Sequence, residues 1–100
     1  MTIQVTPAVR LDDSAVCTIE HLADMSGLSV DEIENLVVSG VVWPAEPTAP
    51  SPRFHLLHIV TVRRARRLRD DFELDSNGVA LAMTLLRRIS ALEQMLALHK

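Results

Sequence analysis

A single cysteine, Cys17, is present; it permits no internal disulfide and no paired-thiolate metal site, which favours a reducing compartment. Aromatic residues make up 3% of the chain against 48% apolar, and with Ala and Leu prominent this argues for helix and against a sandwich or barrel. No apolar run approaches the roughly 18 to 20 residues needed to span a membrane, and the N-terminus lacks the basic and apolar regions of a signal peptide. A soluble, cytoplasmic protein is expected. The three glycines, Gly27, Gly40 and Gly78, form no phosphate-binding loop. The absence with most consequence is of charge: from Leu11 to Pro52 there is no Lys or Arg.

What is present is 100 residues with a net charge of −3, one small domain. A domain of this size buries only about 60 to 65% of the surface its unfolded chain exposes, so a deep catalytic cleft is not expected without association. The small net charge hides three blocks. Asp12, Asp13, Glu20, Asp24, Asp31, Glu32, Glu34 and Glu46 make the stretch from Leu11 to Pro52 purely acidic. Six arginines and no acid follow from Arg53 to Arg69; then come Asp70, Asp71, Glu73 and Asp75.

Along the chain, Ile3, Val5, Val9 and Leu11 alternate with polar residues around Pro7, which suits a short strand or a loose arm over residues 1–17. Thr18 caps a predicted helix to about Met25, with Ile19, Leu22 and Ala23 on one face, and Ser26-Gly27-Leu28 forms a turn. Ser29 caps a second helix, and Glu32 three residues later completes a capping box. Val30, Ile33, Leu36 and Val37 form its core stripe, and Gly40 ends it in the left-handed conformation. Two short capped helices joined by a glycine-containing turn read as a helix-turn-helix. Val41-Val42-Trp43, four prolines (Pro44, Pro47, Pro50, Pro52) and Arg53-Phe54-His55 suit a two-stranded edge hairpin with a long tip, a wing whose apolar ends are buried. The helical period returns from Leu56 to Phe72 through Ile59, Val62, Ala65, Leu68 and Phe72. Arg63, Arg64, Arg66 and Arg67 fall elsewhere, as a solvated face. The last helix starts at Asp75 or Ser76. Its residues Ala82, Leu85, Ile89, Leu92, Leu96 and His99 follow an a/d spacing, and Leu81, Met83, Leu86, Met95 and Leu98 widen the apolar stripe. One small domain cannot easily cover so wide a stripe, so a second chain is expected on it.

A winged helix-turn-helix ordinarily reads DNA, which requires Lys and Arg for phosphates and donors for base edges. The second helix offers Asp31, Glu32, Glu34 and Asn35 instead, and Glu46 is the sole charge of the wing tip. These residues, with Glu20 and Asp24 on the first helix, suit a basic protein surface. Capping and the helix dipole account for some of the acids. DNA binding through Arg53 and the helix from Leu56 is the competing reading; a structural or toxin-antitoxin-like dimer is a third. Chemistry is sparse. His55 and His58 form H-x-x-H without a completing ligand, His21 and His99 are isolated, and Cys17 has no evident basic neighbour. Neither an enzyme nor a cofactor or metal is expected.

Cys17-Thr18-Ile19-Glu20 through Ser26-Gly27-Leu28-Ser29, then Ser39-Gly40-Val41-Val42, resembles the opening of MerR-type regulators. Gly40-Val41-Val42-Trp43-Pro44, the run from Arg64 to Asp75 and Gly78 to Leu86 are similar to the CbpM chaperone-modulator family within that fold. The resemblance covers roughly residues 16 to 97. It implies a mainly α, MerR-like winged helix-turn-helix with a small two-stranded wing and a long C-terminal dimerisation helix; the pass along the residues divides the chain into an N-terminal arm or short strand over 1–17, the winged domain over 18–74 and the dimerisation helix over 75–100. It also implies a homodimer that binds the J domain of a CbpA-like, DnaJ-like co-chaperone and inhibits its co-chaperone and DNA-binding activities. Effector pockets and paired metal-binding cysteines of MerR sensors would lie beyond the last helix and are not expected.

Overall fold

Backbone groups at the ends of short helices must find partners, and here side-chain oxygens supply them. The structure, a computed structural model, describes residues 15–99; the expected arm therefore lies, for residues 1–14, outside the described residues. Strand β1 (Val16–Thr18) runs directly into helix α1 (Ile19–Ser26). Thr18 caps α1 by accepting from the His21 N–H at 3.1 Å. Gly27 ends it at φ 82°, where an added Cβ would be strained and would stand 3.1 Å from Nε of Arg66. Helix α2 (Val30–Val38) opens on the expected capping box. Gly40, at φ 77°, follows its C-cap. The N–H groups of Val41 and Val42 then both donate to the Leu36 carbonyl, at 2.9 and 3.4 Å. This tucks the two valines into the core, where both are buried.

Strand β2 (Arg53–His55) leads to α3 (His58–Phe72) and then α4 (Ser76–Leu98). The sheet has two antiparallel strands, with Val16 opposite His55, Cys17 opposite Phe54 and Thr18 opposite Arg53. The return strand thus lies where the sequence predicts, but its partner precedes α1; it is not 41–43. The reason is the commitment of the Val41 and Val42 N–H groups to the end of α2. One bond, from the Ala45 N–H to the Arg53 carbonyl at 2.7 Å, closes the proline-rich loop on β2.

Leu22, Ile33, Leu36, Val42, Phe54 and Val62 are the largest fully buried side chains, and Val79, Ala80 and Met83 bring the start of α4 onto the same core. Among the stripes predicted from spacing, Ala23 and Ala65 are also buried, while Ile19, Val30, Val37, Ile59 and Leu68 pack at its edge. Phe72 departs from expectation and is 67% exposed. It is the last residue of α3, beside Glu73, whose left-handed φ of 53° reverses the chain; the core-facing stripe ends at Leu68. Trp43 departs as well, at 54% exposed, because the chain leaves the core after Val42. Its ring meets His58 edge-on, with centroids 4.8 Å apart. Asp75 caps α4 by accepting from the Gly78 N–H at 2.7 Å. Among the described residues no helix is long and apolar enough to cross a membrane.

Candidate functional site

Helix α2 divides its polar residues between two jobs. Glu32 faces inward: one oxygen accepts from the Ser29 N–H at 2.8 Å and pairs with Nη1 of Arg69, also at 2.8 Å. Burial works to raise its pKa, but the Ser29 N–H and the Arg69 guanidinium outweigh it and hold the carboxyl below its ordinary value. Asn35 is likewise engaged. Its Nδ2 donates to Ser76 Oγ at 2.7 Å and to Asn77 Oδ1 at 3.2 Å, fastening α2 to the first turn of α4. Two of the six predicted contact residues are therefore held by the fold.

The other four are exposed. Asp31 and Glu34 stand at i and i+3 on α2, and among the described residues neither has an ion-pair or hydrogen-bond partner. Val38, 85% exposed, continues their edge at i+7. It was missed from sequence, although the 31, 34, 38 spacing points to it, because Val37 beside it belongs to the core stripe. Glu20 and Asp24 lie one turn apart on α1. Between residues 15 and 52 no base offsets these carboxylates locally.

The arginines of α3 explain where some of the missing positive charge went. Nε of Arg63 donates to the Met25 carbonyl at 3.3 Å, and Arg69 reaches the Gly27 carbonyl at 3.5 Å. Both carbonyls belong to the C-terminal end of α1 and its turn, where the helix dipole favours a cation. Arg66 pairs with Asp70 at 3.2 Å and Arg69 with Asp70 at 2.9 Å. The basic helix therefore braces the helix-turn-helix through two of its five arginines, Arg63 and Arg69, a use that a merely solvated face does not capture.

Nucleophilic chemistry is poorly served. Cys17 is buried, and burial raises its thiol despite the pull of Arg53. Arg53 is the basic neighbour that sequence could not supply, because it arrives from β2 opposite Thr18. His55 ends β2, with Nδ1 buried and unpartnered, while His58 opens α3 inside the core; the H-x-x-H pair spans a strand and a helix. Among the described residues no group of three His, Cys, Asp or Glu side chains could hold a metal ion.

The predicted seam on α4 lies open. Ala82 is half-buried, Leu85, Ile89, Leu92 and Leu96 are exposed, and His99 closes the helix with Nδ1 2.8 Å from the Met95 carbonyl.

Comparison with known proteins gives a consistent result. A family described as MerR HTH family regulatory protein matches residues 17–99. The chain is 36% identical over 77 residues to the chaperone modulatory protein CbpM of Escherichia coli O1:K1, which is 77% of this chain and 76% of that one. It is 35% identical to CbpM of Citrobacter koseri over the same shares.

Proposed function

This chain belongs to the MerR HTH family and, within it, to the CbpM chaperone-modulator family, and from that premise we propose that it is a non-catalytic, cytoplasmic chaperone modulator. It binds the J domain of a CbpA-like, DnaJ-like co-chaperone through the acidic surface of α1 and α2, and so inhibits that protein's co-chaperone and DNA-binding activities. Asp31 and Glu34 carry the contact, flanked by Val38 and by Glu20 and Asp24. Glu32 and Asn35 act indirectly, by fixing the angle of α2.

One observation supports this above the others: the helix that would enter a DNA groove exposes two unpaired carboxylates and no cation. Such a surface is repelled by phosphate and attracted to the Lys- and Arg-bearing helix of a J domain, where charge complementarity sets on-rate and orientation. The active unit is a homodimer joined through Ala82, Leu85, Ile89, Leu92, Leu96 and His99 of α4. In this reading residues 18–74 form the winged domain and 75–100 the dimerisation segment, with 1–17 as an arm.

Calorimetric titration against the isolated J domain tests the proposal. Saturable binding is expected, with Asp31→Lys plus Glu34→Lys weakening it at least tenfold, about 1.4 kcal/mol. No binding by the native chain would refute it, and unchanged binding by the variant would move the contact off α2. The family's description as regulatory proteins sustains DNA binding as a second reading. A mobility shift that stays sequence-specific at physiological salt would favour that one.

A further inference from the structure

A second surface, of opposite charge, lies where the segment after α2 meets α3 and α4. Val41, Trp43, Arg64, Met83, Leu86 and Arg87 are among the residues that line a groove of about 250 Å³. Its floor is apolar, with Val41 and Met83 buried, and its rim holds Trp43 and Leu86, both partly open to solvent. Two guanidiniums flank it and no carboxylate lines it. Arg87 is anchored by donating from Nη2 to the Gly40 carbonyl at 2.8 Å, and among the described residues neither Arg64 nor Arg87 forms an ion pair. This contrasts with Arg66 and Arg69, which share α3 with Arg64 and whose charges are met by Asp70 and Glu32.

We propose that this groove docks an acidic peptide segment bearing one apolar anchor, the anchor seated between Trp43 and Leu86 and its flanking carboxylates on Arg64 and Arg87. Charge complementarity selects an anionic ligand, and the apolar floor selects a side chain over a phosphate. Tryptophan and arginine are the residue types that most often carry binding energy at protein interfaces. Trp43 is already partly ordered by its edge contact with His58, so seating the anchor freezes little additional motion. The groove shares no residue with the acidic surface of α1 and α2, so the chain presents a cation-seeking face and an anion-seeking one.

Trp43 is the sole tryptophan and the chain has no tyrosine, so its emission reports on the groove directly. The full chain is titrated with an end-blocked peptide of Asp and Glu residues around one leucine, free of aromatics. A saturable blue shift of Trp43 emission with protection from acrylamide is expected. Arg64→Ala, at an exposed position, should weaken it at least threefold, and replacing the peptide's leucine by alanine should do the same. Asp31→Asn plus Glu34→Gln, which remove the acidic contact without building a second cationic surface, should leave it unchanged, which separates this site from the proposed J-domain contact. An unmoved emission, an equal response to the lysine analogue of the peptide, or a stronger response to short duplex DNA at physiological salt would overturn the proposal. So would shielding of Trp43 that grows with protein concentration alone, which would assign the groove to a second copy.

Discussion

Helix α4 behaves as two different helices joined end to end. Its first two turns are bound into the chain: Asp75 caps them, Asn35 reaches across to Ser76 and Asn77, and Val79, Ala80 and Met83 are buried against α2 and α3. Beyond Met83 the composition is just as apolar, yet Leu85, Ile89 and Leu92 remain 52, 49 and 45% exposed. Apolar spacing thus identifies a face that seeks cover without saying which surface covers it. The first segment is satisfied within one chain and is part of its stability; the second is an exposed apolar stripe of a kind that solitary soluble domains rarely carry.

The strongest test of that contrast strikes the satisfied side. Phe54 is fully buried on β2, where it packs on the core that also takes Val79 and Met83. Phe54→Ala should cost about 3–5 kcal/mol in urea unfolding, a large part of the roughly 5–15 kcal/mol that holds a typical domain together. A loss below about 1 kcal/mol would mean that the two-stranded sheet is peripheral to the core.

The open side should respond in the opposite way. Ile89→Glu is expected to leave the far-ultraviolet circular dichroism of the dilute chain unchanged while weakening self-association at least tenfold in sedimentation, about 1.4 kcal/mol. If the variant unfolds at low concentration, the stripe is covered within the chain and the division of α4 fails. A native protein that stays monomeric at the highest attainable concentration would remove the second copy.

The same contrast separates what could be read in the sequence from what could not. Thr18, Ser29 with Glu32, and Asp75 were legible as caps because each bond spans three residues and depends on local chemistry alone. Ile33, Leu36, Val62 and Ala65 were legible from helical period. The strand pairing was not. Val41-Val42-Trp43 has the composition of a strand, but its N–H groups are taken by the end of α2, and Phe54 finds Cys17 instead. The acidic surface was legible as an absence of bases. Which polar residues of α2 are free was hidden, because Arg69 reaches Glu32 across 37 positions and Ser76 meets Asn35 across 41. Long-range closure of this kind leaves no periodic trace.

The smallest expected effect is a two-step dependence on pH carried by two engaged groups, His58 and Glu32. Burial lowers the pKa of His58, the nearby His55 adds to this, and a hydrogen bond with the Trp43 backbone opposes it. The unfolded chain therefore takes up this proton first. Stability is complete above the ordinary histidine value of about 6.5 and falls as pH drops through the window beneath it. Glu32 adds a second decline in the same direction, because its carboxyl is held below its ordinary value of 4.5. That contribution is present above 4.5 and disappears as pH falls through the folded-state pKa. Urea midpoints measured downward from neutral pH should fall in two stages. His58→Gln should remove the first stage and Glu32→Gln the second. A first stage that survives His58→Gln would show that the proton enters elsewhere, and that the edge contact between Trp43 and His58 tolerates the cation.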